Sequence, residues 1–283
     1  MAVPGDSKLL TAGLHVPWGS RKRAESGQAL SEQESITFLE GKISVAAALR
    51  SPYRAVHRVL LRADREDRTV RWLRHRAREA DVPVVQVDTA EIDAVTQGNS
   101  HGGIAAEAGQ RQFVGLEALL PRGNGPAFVV MLDGIEDPFN FGQSLRALYA
   151  MGAHGVALRP RNWMSAAATV ARASAGASEL MPMAVAETVA EAAEFYRGRG
   201  LTVACAQKED ALPMDEADLT TPLFLLVGGE KRGVTRSFAK QADLHLQVPY
   251  DRVEYEPSLG TTAAAAALAY EVMRQRKHAR RKV

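Results

Sequence analysis

From Phe38 onward, short apolar runs alternate with longer amphipathic stretches, the pattern of strands separated by helices. VHRVLL at 56–61 and VPVVQVD at 82–88 read as strands. Between them Val70, Leu73 and Ala77 recur at helical spacing over 68–80, with arginines on the other positions. GKISVAAALRS reads as a short helix, and HGGIAAEA at 101–108 as a glycine turn into a strand. After PRGNGPA at 121–127, whose Pro and Gly mark a boundary, the pattern restarts. AFVVML (127–132), GVALR (155–159), LTVACA (201–206), LFLLV (223–227) and LHLQV (244–248) are apolar runs suited to strands buried on both faces. Helices are expected over 140–151, 187–199 and 261–276. The whole predicts an α/β fold with a mostly parallel sheet. The expected organisation is a poorly ordered extension over 1–33, a small α/β unit over 34–110, a linker over 111–126 and a larger α/β unit over 127–283.

The net charge of +2 names no partner, but its distribution does more. Eleven Lys/Arg stand against four Asp/Glu between Gly41 and Ala80, and the chain ends RQRKHARRKV. Either run suits phosphates, or simply a solvated face. The lone cysteine, Cys205, sits inside LTVACA and reads as a core residue. It excludes an intrachain disulfide, lacks a metal-ligand spacing and fits a reducing, cytoplasmic setting. No apolar stretch approaches the roughly 20 residues that span a bilayer. The first 28 residues lack the long apolar core and cleavage site of a secretory signal, and none is expected there.

Three segments carry candidate chemistry. In LDGIEDPFNFGQSLRALYAMG (132–152) a buried strand ends in an acidic loop. Asn140 is placed to cap the following helix, Gly142 to let another chain or a ligand approach closely, and Arg146 lies less than two turns on. In LFLLVGGEKRGVTRSFAKQAD (223–243) a strand opens into a loop where Gly228, Gly229 and Gly233 bare the backbone around Glu230. No Walker or G-x-G-x-x-G pattern is present. In LQVPYDRVEYEPSLGTTAAAAALAYEVMRQR (246–276) a loop bearing Ser258, Leu259 and Gly260 leads into an alanine-rich helix that Thr261 or Thr262 is placed to cap. Each segment alone also reads as a tight turn and a helix cap.

Together, in order and over 127–276, the three resemble the SpoU/TrmH family of RNA methyltransferases, a branch of the SPOUT superfamily. Asn140, Gly142 and Arg146 meet N-x-G-x-x-x-R, and Gly228, Glu230 and Gly233 meet G-x-E-x-x-G. Ser258, Leu259, Tyr270, Glu271, Arg274, Gln275 and Arg276 meet the terminal pattern. Gly41, SPYRAVHRVLL and HGGIAA carry a weaker likeness to the family's small RNA-binding domain, which looks like a ribosomal protein.

The resemblance implies a sheet with a deep trefoil knot, a homodimer through the knot region, and tRNA or rRNA as substrate. It implies S-adenosylmethionine held by Gly228, Gly229, Val248, Leu259 and Gly260, with Asn140, Arg146, Glu230 and Ser258 at the catalytic end and methyl transfer to a ribose 2′-hydroxyl. Gly260 departs from the family's Ser-Leu-Asn. Thr261 or Thr262 is then expected to supply the missing polar group. The rival expectation is a binding or assembly factor that keeps the fold without turnover. A guanidinium rarely gives up its proton, so Arg146 is expected as an electrostatic clamp rather than a base.

Overall fold

A computed structural model describes residues 36–97, 101–160, 166–229, 231, 233–252 and 254–281. The extension expected over 1–33 lies outside the described residues, as does Glu230.

The N-terminal unit runs β1 (Thr37–Glu40), α1 (Lys42–Ala48), β2 (Val56–Arg62), α2 (Arg68–Glu79), β3 (Val84–Val87), α3 (Thr89–Val95) and β4 (Ile104–Ala108). Its sheet has the order β1-β4-β2-β3, with β4 antiparallel to both β1 and β2 and β2 parallel to β3. Val59, Leu61, Val70, Leu73, Ala77 and Ile104 form its core. Helix α2 therefore buries the stripe read from its spacing and turns its arginines outward. Asp67 caps it, accepting from the amides of Thr69 and Val70.

The C-terminal unit runs β5 (Phe128–Asp133), α4 (Pro138–Ala150), β6 (Gly155–Leu158), α5 (Ala167–Ala173), α6 (Ala177–Leu180), β7 (Met183–Val185), α7 (Val189–Arg197), β8 (Thr202–Ala206), β9 (Leu212–Pro213), β10 (Leu223–Gly228), α8 (Arg236–Ala239), β11 (Leu244–Gln247) and α9 (Thr261–Arg280). The sheet order is β7-β6-β5-β10-β8-β11-β9, and its described pairings are parallel. Every residue of β5 but the last is buried, as is every residue of β10 but the last, which is why both read as unbroken apolar runs. Two clusters cover the two faces, one under α4 and α9 and one around Tyr196, Phe224 and Leu119.

The segment expected as a linker is held against the second unit. The Val114 amide donates to the Met183 carbonyl at 2.9 Å, extending the sheet edge at β7. Leu119 is fully buried, and the Tyr196 hydroxyl donates to the Leu116 carbonyl at 2.9 Å.

The end of α9 is fixed by a buried arginine. The Arg276 guanidinium donates to the carbonyls of Leu219, Pro126, Ala127 and Thr221 at 2.7–3.1 Å. It lies 5.5 Å from the centre of the Phe128 ring. Burial pushes it down to about 10. Gln275 accepts from the Leu219 amide and donates to the Ala217 carbonyl, and Arg274 pairs with Glu271. The Glu-x-x-Arg-Gln-Arg run therefore clips the last helix to the strand entrances.

Candidate functional site

The three segments of interest meet where β5, β10 and α9 come together at the C-terminal edge of the sheet, where open α/β folds place ligands. Gly228 ends β10 in register with Asp133 at the end of β5. The next residues of the two strands touch backbone to backbone: a Cβ on Gly229 would stand 2.1 Å from the Gly134 carbonyl oxygen. A Cβ on Gly228 would stand 2.2 Å from the Gly233 carbonyl carbon, because the loop folds back and the Gly233 amide donates to the Gly229 carbonyl at 2.9 Å. Gly233 itself takes φ +56, the left-handed region that glycine enters without cost. These glycines are required by the loop's own packing.

The start of α9 is tied to both other segments. The Thr261 hydroxyl donates to the Gly228 carbonyl at 2.9 Å. The Thr262 hydroxyl donates to the Asn140 carbonyl at 3.1 Å, which also accepts from Ser144 at 2.8 Å. Asn140, Gly228 and the Gly260–Thr261–Thr262 run are thereby brought to one place, and Glu230 falls outside the described residues.

Three expectations about local roles are corrected. Asn140 does not cap α4: Asp137 does, accepting from the Phe139 amide at 2.7 Å, with Pro138 in the first turn. Proline presets the helical φ and has no N–H to lose, so the helix begins two residues early and Asn140 falls inside it. Neither Thr261 nor Thr262 caps α9. Gly260 holds the N-cap position without a side-chain bond, and the threonine hydroxyls donate across to other segments. Those protons are committed, so neither replaces the donor group of the missing asparagine amide. Gly142 admits α5 of the same chain, with a Cβ meeting Ala173 at 2.7 Å and the Val170 carbonyl at 2.9 Å.

The remaining predicted residues are less enclosed. Arg146 is exposed on α4, six residues beyond Asn140 and so about 9 Å along the axis, and it makes no ion pair with a described residue. Val248 packs against the core. Ser258, Leu259 and Gly260 are exposed on a loop that Tyr250 braces: its hydroxyl accepts from the Leu259 amide at 2.8 Å and donates to the Pro257 carbonyl at 3.3 Å. A Cβ on Gly260 would meet nothing within 4 Å. The glycine backbone, the aliphatic Val248 and Leu259 and this open space suit a flat, polar-edged cofactor with an apolar face.

Sequence reasoning missed Gly134, Tyr250 and Ser144. Gly134 had a signal, a glycine directly after a buried strand. The other two act through contacts that no local pattern records. Beside the site, a cleft of about 580 Å³ opens above β5, β6 and β10. Two ion pairs line it, Asp133–Arg159 and Glu136–Lys231.

Family models match the chain in two places. One, described as the SpoU rRNA Methylase family, matches residues 127–270. The other, described as RNA 2′-O ribose methyltransferase substrate binding, matches residues 38–114. An uncharacterized tRNA/rRNA methyltransferase of Mycobacterium tuberculosis is 28% identical over 94% of this chain and 83% of its own length. The 23S rRNA (guanosine-2′-O-)-methyltransferase RlmB of Pseudomonas syringae pv. tomato is 31% identical over 85% of this chain and 96% of its own. Among solved structures, an RNA 2′-O ribose methyltransferase aligns with a TM-score of 0.69 at 22% identity, covering 87% of this chain and 91% of that one. The SpoU methyltransferase AviRb from Streptomyces viridochromogenes, in complex with the cofactor AdoMet, aligns with a TM-score of 0.69 at 21% identity, covering 85% and 90%. At those identities the structural likeness concerns the fold.

Proposed function

The chain belongs to the SpoU rRNA methylase family, and we propose that its three converging segments carry methyl transfer from S-adenosylmethionine to a ribose 2′-hydroxyl of RNA. The observation that supports this placement is the pair of threonine tethers, which join the Gly228 loop, Asn140 and the start of α9.

S-adenosylmethionine, when bound, supplies a methyl group on a positively charged sulfur. In this reading Gly228, Gly229, Val248, Leu259 and Gly260 hold it, largely through backbone groups. Arg146, on an exposed helix face, clamps the target's phosphate and stabilises charge developing on the ribose oxygen. Asn140, Glu230 and Ser258 orient the ribose, and positioning supplies much of the rate. A relative 31% identical over 85% of this chain is named as a 2′-O-methyltransferase, so the rival reading of a binding protein without turnover is not favoured.

The unit over 37–108 is proposed to hold the RNA. Helix α2 presents Arg68, Arg71 and Arg78 to solvent. Trp72, 37% exposed, stands one turn on from Arg68, with Lys42 and Arg76 at 5.3 and 5.7 Å from its ring. Cations around an exposed ring suit phosphates and an unstacked base.

The trefoil knot and the homodimer belong to the same reading. In favour of a threaded C-terminal segment, α9 is bonded at one end to Gly228 and at the other to the entrances of β5 and β10. In favour of a self-association face, α4 exposes Phe139 and Tyr149 and α9 exposes Tyr270. Among the described residues no helix is long and apolar enough to cross a membrane. Calorimetric titration with S-adenosylmethionine tests the cofactor assignment. Saturable binding at one site per chain is expected, and the absence of binding refutes it.

A further inference from the structure

The two units meet along a buried, polar seam. Strand β1 and helix α1 lie against α5 and α6 of the second unit, and Leu39, Ala48 and Ala171, each almost fully buried, pack across the junction. Gly176, at φ +80, lets α1 come so near that a Cβ there would stand 2.5 Å from the Ala47 Cβ.

Ion pairs are set into this contact. Arg54 Nε meets Glu179 Oε2 at 2.6 Å and Nη2 meets Oε1 at 3.3 Å, with the side chains 4% and 1% exposed. The third donor of Arg54 reaches the Gly109 carbonyl at 2.8 Å. Ser51 donates to the Glu179 carbonyl at 2.5 Å, and Ser178 donates to its carboxylate at 3.2 Å. Nearby, Glu40, 2% exposed, pairs with Arg172 of α5, and Arg111 donates to the Met181 carbonyl. The residues joined by Arg54–Glu179 are 125 positions apart.

Contacts between domains of one chain are usually small, wet and mobile. A forked arginine–carboxylate pair without solvent is the opposite: it tolerates one geometry, and separating its partners strands a buried charge. The seam also lies next to the site. Helix α5 packs on α4 at Gly142, and α4 carries Asn140 and Arg146. An RNA held on α2 is thus connected to those residues through closely packed helices.

We propose that Glu179 with Arg54, and Glu40 with Arg172, are positioning residues that lock the N-terminal unit onto the methyl-transfer unit, so that the distance from the α2 face to the site selects which ribose is methylated. The proposal rests on the reading that the N-terminal unit holds the RNA.

The test uses the full chain, S-adenosylmethionine and 23S ribosomal RNA transcribed in vitro. Glu179→Gln keeps the shape of the side chain and removes its charge. The expected result is a loss of kcat at saturating RNA on the order of 10²-fold, the scale of a misplacement near 1 Å. Affinities for RNA and for S-adenosylmethionine stay within about threefold of the wild type. Methyl groups should also appear at additional nucleotides. Arg172→Gln, at the less enclosed pair, gives a smaller change of the same kind and serves if Glu179→Gln fails to fold. Unchanged kcat and unchanged methylation sites in the folded variants overturn the proposal. So does a loss of activity fully matched by a loss of RNA affinity. Charge reversal at Arg71 and Arg78 tests the underlying reading separately: undiminished RNA binding there refutes it, and the lock with it.

Discussion

Replacing Gly229 by alanine puts a methyl group where the backbone of Gly134 already stands. The added carbon lies 2.1 Å from the Gly134 carbonyl oxygen and 2.4 Å from its carbonyl carbon, and side-chain carbons essentially never approach within 3.0 Å. Both neighbours are main chain at the ends of paired strands, so no rotamer relieves the clash. The Gly229 loop must move by about 1 Å, an overpacking that costs on the order of 1–3 kcal/mol. That displacement shifts the proposed cofactor loop and should weaken S-adenosylmethionine binding about tenfold, the equivalent of about 1.4 kcal/mol. Gly260 is the control from the same pocket. Its φ of −59° suits any residue and nothing lies within 4 Å, so alanine there introduces no strain. It should cost about 0.5 kcal/mol as a poorer N-cap, so it is the stability control for the overpacking at Gly229. Titration calorimetry and urea unfolding of the two variants give both quantities. A Gly229→Ala protein that unfolds and binds cofactor like the wild type refutes the reasoning.

Arg276→Met removes the donors of four carbonyls while relieving the burial that holds the guanidinium at about 10. A net loss of about 2–4 kcal/mol is expected in urea unfolding, and a loss below about 1 kcal/mol contradicts the clip. His154 accepts from the Phe128 amide at 3.0 Å, and burial, with Arg276 and Arg280 nearby, lowers it from 6.5. Its contribution to stability is therefore complete above 6.5. It is lost as the pH falls from there toward the folded value, because the unfolded chain takes up the proton first. His154→Gln should flatten the stability curve as the pH falls below 6.5, and an unchanged slope argues against the burial. Arg146→Ala should leave the melting temperature and cofactor affinity unchanged, since the side chain is exposed, while kcat falls about 10²–10³-fold. Near-full activity removes Arg146 from the mechanism.

The strands and long helices were legible because their burial is written in their periodicity. AFVVML and LFLLV lie at the centre of the sheet, and the Val70–Leu73–Ala77 stripe faces the first unit's core. The short elements left no such trace. β7 has three residues, between β6 and a single bridge from Val114, and α6 is a four-residue turn after Gly176. At the site, the order of the glycine loop, Asn140 and the Ser258 loop could be read, but the direction of single bonds could not. Thr261 and Thr262 looked like caps because they open a helix, whereas their donors serve carbonyls 33 and 122 positions away. The Arg-Gln-Arg run was recognisable as a pattern, and its structural role appears only when the loops it fastens are in place. The Arg54–Glu179 pair joins two segments that read as unrelated, because a contact across 125 residues has no signature in either neighbourhood.

The central claim is tested most directly by following the methyl group. The protein is incubated with methyl-labelled S-adenosylmethionine and, separately, with tRNA and with ribosomal RNA, and each RNA is then digested to nucleosides and separated. Label in a 2′-O-methylated nucleoside is expected. Label on a base, or cofactor binding with no transfer to tRNA or ribosomal RNA, would contradict it.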